Sequence, residues 1–141
     1  MVASNPKDIS MPSNVIKFEM LVYMSLGIGA IMAIIQFDEL ARKAGFEFVL
    51  AVQAFVFFLI LLLTWLAARR RQNWARWIFL GMFVLGTFAY IPTAGETWRG
   101  NFLVGILSSV QIFLQGGAVY FVFSGNAPDW FKRSAASQPE T

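Results

Sequence analysis

Glu19 is the first side chain to ask about, an acid set about one turn into an apolar run that begins at Val15 and ends at Phe37. A carboxylate that faces protein at that depth loses hydration and can hold a proton or a cation. One that reaches the headgroup region beside Lys17 stays an ordinary solvated charge. The shallow depth favours the interfacial placement, with Tyr23, Leu26, Ala30 and Ala33 sharing the helical face of Glu19. Amides come next. Gln53 and Thr64 are the only polar side chains between Phe48 and Ala68, and Gln111 and Gln115 stand one turn apart in the last apolar run. On a helical wheel that run divides cleanly. Gly105, Ser108, Ser109, Gln111, Gln115 and Gly116 fall on one side, and Leu103, Ile106, Leu107, Val110, Phe113 and Leu114 on the other. The small residues allow close backbone approach, and the amides can hydrogen-bond across to a neighbour such as Gln53, each bond contributing about 0.6 to 2 kcal/mol in lipid. Helix packing is the expected use of this face; lining a polar pathway is the alternative.

Several chemistries have no residues to carry them. The sequence holds no cysteine and no histidine, which removes disulfides, thiolate chemistry, haem ligation and the usual zinc and copper sites. No Asp, Glu, Lys or Arg falls at mid-depth in an apolar run, and there is no carboxylate pair, phosphate-binding glycine loop or nucleophile with a base. No catalytic residue, metal or cofactor is expected, and the chain does not read as an enzyme. Asp38, Glu39, Glu47 and Glu96 are interspersed with Arg42, Lys43 and Arg99 in short polar connectors, as solvated pairs would be. Arg69, Arg70, Arg71 and Arg76 form a compact basic turn beside Trp74 and Trp77. Such a turn orients a membrane protein and can contact anionic lipid headgroups. It offers no element for reading a nucleic-acid groove.

The elements that position these residues follow from composition. With 57% hydrophobic and 13% charged residues the chain is too apolar for a water-facing surface, and its runs match the length that spans a bilayer as helix. An all-α, polytopic four-transmembrane-helix bundle is expected, with helices at about 15–37, 46–68, 74–91 and 102–123 and polar tails at 1–14 and 124–141. The first run reads as a span rather than a cleaved leader, because Gln36-Phe37-Asp38-Glu39 lacks a small-x-small cleavage pattern. Four spans place both termini and the basic turn on one side. Lys7, Lys17, Arg69, Arg70, Arg71, Arg76, Lys132 and Arg133 lie there, against Arg42, Lys43 and Arg99 opposite, so the expected topology is N-in and C-in. Trp74, Trp77, Trp98 and Trp130 sit near span ends, where amphipathic rings favour the headgroup region.

The stretch Arg70-Arg71-Gln72-Asn73-Trp74-Ala75-Arg76-Trp77, the later Leu107-Ser108-Ser109-Val110-Gln111-Ile112-Phe113-Leu114-Gln115 and the close Pro128-Asp129-Trp130-Phe131 carry a resemblance over roughly the last two-thirds of the chain. In these motifs the sequence resembles a group of small, uncharacterised bacterial four-span inner-membrane proteins. The resemblance implies a bacterial inner-membrane address and a compact bundle, and no activity. Gly116-Gly117 stands where bulkier apolar residues are expected, which points to close packing. The small multidrug-resistance transporters also have four spans and a carboxylate in the first, but Glu19 is shallower, the connectors differ, and the charge bias is one-sided. Two functions are therefore expected. The first is an accessory or structural protein that packs against itself or a larger membrane complex through the small, polar face of the last span. The second is a small transporter or channel for lipophilic or cationic solutes, using Glu19 with Gln53, Gln111 and Gln115. Partners are the lipid bilayer and a second copy or another membrane protein.

Overall fold

The computed structural model describes residues 10–136. Every regular element among them is helical: α1 (Ser13–Ala44), α2 (Phe46–Ala68), α3 (Asn73–Tyr90), a 3-10 turn (Ile91–Thr93), α4 (Ala94–Gly100), α5 (Phe102–Phe123) and α6 (Ala127–Ala136). Four segments are long and apolar enough to cross a membrane: α1, α2, the continuous stretch Asn73–Gly100, and α5. Their outward faces carry large apolar side chains, including Ile34, Phe48, Phe58, Leu85 and Phe113. A water-soluble surface does not tolerate so many, whereas acyl chains do. The chain is a multi-pass helical membrane bundle.

Three boundaries differ from the sequence expectation, each for a local reason. The connector after Phe37 is helix, so α1 continues to Ala44. Lys43 Nζ bonds Glu39 Oε1 at 2.6 Å and Arg42 Nε donates to the Asp38 carbonyl at 3.2 Å, with the acids ahead of the bases along the axis, the order a helix favours. Gly45 ends it with φ 92°, a conformation open to glycine, and α2 starts at the next residue. Pro92 closes α3 as expected, but it sits in a 3-10 turn that leads directly into α4. The segment 124–141, expected as a polar tail, contains α6. Gly125 turns the chain at φ 61°, and Pro128 lies in the first turn of α6, where a missing N–H costs nothing. Ala127, Trp130 and Phe131, spaced as one helical face, are all buried. Lys7 lies outside the described residues.

Candidate functional site

The packed core is confined to one end of the bundle. Val15, Phe18 and Val22 of α1, Leu63, Ala67 and Ala68 of α2, Ala75 and Phe79 of α3, Ala118 and Val122 of α5, and Ala127, Trp130 and Phe131 of α6 form a single buried cluster. Phe18 and Phe79 cross edge to face with centroids 5.3 Å apart. Toward the opposite end, where α4 lies, the buried apolar side chains reduce to Val49 and Val104. Two cavities, each partly open to the surroundings through exposed lining residues such as Leu40, Val52 and Val56, lie toward that end. The first, about 280 Å³, runs along α1 and α2 and reaches α5 through Gln111 and Gln115. The second, about 430 Å³, lies between α3 and α5. They adjoin, since Met32, Val56, Ile60, Phe79, Gln111 and Gln115 line both. Phe79 links the cavities to the aromatic plug at the α6 end.

The cavity walls are apolar with a few neutral polar groups, and among the described residues no charged side chain lines either one. Gln53, Gln36 and Ser25 line the first, Thr87, Tyr90 and Ser108 the second, and Gln111 and Gln115 serve both. Gln115 Nε2 donates to Ser25 Oγ at 3.0 Å, tying α5 to α1. Ser108 Oγ and Ser109 Oγ fold back onto the carbonyls of Val104 and Gly105, at 2.8 and 3.0 Å. Gln111 Nε2 lies 3.1 Å from where a β-carbon on Gly29 would stand, so the glycine gives the amide its room against α1. The hydroxyl of Tyr90 is buried and has no hydrogen-bond partner among the described residues.

The small, polar face of α5 therefore meets this same chain. A β-carbon on Gly105 would come within 2.8 Å of Trp98 on α4. Gly117 faces Leu21 on α1, and Gly116 faces Phe83 on α3. At these glycines the face packs against α1, α3 and α4 of the same chain. Glu19, which the transporter alternative puts in a shared cavity with the glutamines, lines neither one. It lies at the α6 end, 8% exposed, where Arg69 Nε and Nη2 reach its two carboxylate oxygens at 3.2 and 3.3 Å and Tyr23 donates to Oε1 at 3.0 Å. Its cation is Arg69, the residue that follows α2, rather than Lys17.

The other arginines of the basic turn lie against aromatic rings. Arg70 stands 5.2 Å from the Trp65 centroid, Arg71 3.8 Å from Trp130, and Arg76 4.9 and 4.7 Å from Phe123 and Phe131. Together with a bond from Trp130 Nε1 to the Ala68 carbonyl at 3.3 Å, these contacts hold α6 across the α2–α3 turn. Asn14 Nδ2 donates to the Ser124 carbonyl at 2.9 Å and closes the same end.

Ser25, Gln36 and Tyr90 were not singled out from the sequence. A wheel of α1 contained the signal for two of them, since Ser25, Gly29, Met32 and Gln36 recur at helical spacing and form the cavity wall. Tyr90 gave none, because a tyrosine at a span end ordinarily reads as an interfacial anchor. No family model, curated protein or solved structure matches the chain.

Proposed function

We propose that the protein is a solute-binding bundle of a bacterial inner membrane, of the small carrier or transporter kind, that takes an uncharged and mainly apolar molecule between α1, α2, α3 and α5. The observation that supports this reading is the pair of adjoining cavities, walled by apolar residues and dotted with amides and hydroxyls, in a bundle whose buried apolar cluster lies toward its other end. Their volumes are near the lower part of the range common for small-molecule pockets, roughly 300 to 1,000 Å³. A charged solute would lose its hydration there without gaining a counter-ion, which selects neutral ones. The topology of this proposal puts the α6 end in the cytoplasm, because Lys17, Arg69, Arg70, Arg71, Arg76 and Lys132 gather there against Arg42, Lys43 and Arg99 at the α4 end. The hollow half then faces the periplasmic leaflet.

Native mass spectrometry of the protein extracted from its own membranes in mild detergent tests this. Wild type should retain one uncharged small molecule per chain. Gly86→Leu, which fills the second cavity at a position where a β-carbon meets nothing within 4 Å, should lose it. Bare chains from wild type, or a larger protein complex without a small molecule, would overturn the proposal; the second result would favour an accessory role.

A further inference from the structure

We infer that the turn between α2 and α3 binds the phosphate of an anionic phospholipid through Arg70 and Arg71, each held in place by an aromatic ring. This site lies at the α6 end and uses neither cavity. Of the arginines in this stretch, Arg69 and Arg76 are committed elsewhere. Arg69 gives Nε and Nη2 to Glu19. Arg76 lies against Phe123 and Phe131, with Nε and Nη1 buried where no headgroup reaches them. Arg70 is exposed and Arg71 half-buried. Their guanidinium groups stand 5.2 Å from the Trp65 ring and 3.8 Å from the Trp130 ring, and neither pairs with a carboxylate among the described residues. A ring orients a guanidinium that lies over it, while the N–H donors along the planar edge stay available to grip two oxygens of one phosphate.

Charge and depth name the ligand. The acids at this end, Glu19 and Asp129, already face Arg69 and Lys132. Arg70 and Arg71 therefore carry positive charge that no described side chain neutralises. An anionic headgroup neutralises it, whereas a zwitterionic one brings its own ammonium beside the phosphate. Trp65, Trp74 and Trp77 are exposed around the turn, as indole rings are at headgroup depth, so the bilayer itself presents phosphate there. Leu61 and Leu62, about one turn deeper along α2, are exposed as well and give the acyl chains an apolar wall. Free phosphate would meet the charge but could not use that wall.

Native mass spectrometry of the full chain in mild detergent, titrated with phosphatidylglycerol and with phosphatidylethanolamine of the same acyl chains, provides the test. Wild type should bind the anionic lipid about five- to twentyfold more tightly, the preference expected from two interfacial arginines. Arg70→Gln combined with Arg71→Gln should abolish that preference. Arg70→Lys combined with Arg71→Lys should reduce it, because an ammonium lacks the paired donors; this variant keeps both charges that orient the bundle and so guards against loss through misfolding. Lys17→Gln removes another cation of the same end, one that lies over Phe121, and should leave the preference unchanged. Inorganic phosphate at the same concentration as the lipid should not displace it. Equal binding of the two lipids by wild type would overturn the inference. So would a preference that survives the double glutamine variant, stays whole in the lysine variant or falls equally with Lys17→Gln, since each would mean a diffuse charge effect. Displacement by inorganic phosphate would overturn the assignment to a lipid.

Discussion

A single ion pair decides how Glu19 behaves. Its carboxylate is 8% exposed and accepts from both Arg69 and Tyr23, while the Arg69 side chain remains 57% exposed. Removing the cation leaves an acid in a poorly hydrated position with one phenol for company, so Arg69→Ala should destabilise the bundle by about 2 kcal/mol, less than a fully buried pair because the guanidinium is half in solvent. Glu19→Gln should cost less, since the amide can still accept from both donors. Denaturation in mixed micelles, followed by circular dichroism, would rank the two. Because Glu19 lies outside both cavities, Glu19→Gln should also leave solute binding unchanged, and a loss of binding would put the ligand at the α6 end instead. The sequence names Lys17 as the nearest cation along the chain. The structural partner was legible in another way, since Glu19 and Arg69 lie nearly the same number of residues from Gly45, the one-residue turn of an antiparallel hairpin.

At the scale of elements, the hairpin depends on Gly45 and the closed end depends on α6. Gly45→Ala puts a β-carbon into a backbone conformation at φ 92° that L residues rarely adopt, so it should destabilise the protein by about 1 to 2 kcal/mol even though the space around it is open. Phe131→Ala empties a buried site beside Arg76 and should cost about 3 kcal/mol, with α6 released from the bundle. Faster proteolysis within 127–136 in the variant, at unchanged cleavage elsewhere, would show that release. The four spans were legible because their apolar runs are long and interrupted only by glycine, proline and clustered charge. α6 was not, because its average composition is polar and the apolar face consists of three residues. The extension of α1 was hidden for a similar reason: charges that read as a connector are compatible with helix once they pair at i and i+4.

In the whole molecule the buried apolar cluster lies toward the α6 end and the two adjoining cavities toward the α4 end, and no single span reveals this. The wheel of the last span separates a small, polar side from an apolar one, yet it does not say whether that side meets a packed neighbour, a partner or a cavity. Those outcomes depend on how α1, α2 and α3 pack against it. Gln36 extends the hollow end outward, since it lines both the first cavity and a recess of about 370 Å³ between α1 and α4, beside Glu39 and Glu96. Because the chain contains no cysteine, single cysteines can report on this asymmetry directly. The decisive measurement is the rate at which a small, water-soluble thiol reagent modifies Gln36→Cys, Gln53→Cys and Gln111→Cys, compared with Ala67→Cys, Ala118→Cys and Val122→Cys, in the reconstituted full chain. The structure predicts rapid modification of the first three and protection of the last three; equal protection at all six would contradict a hollow half and with it the proposed site.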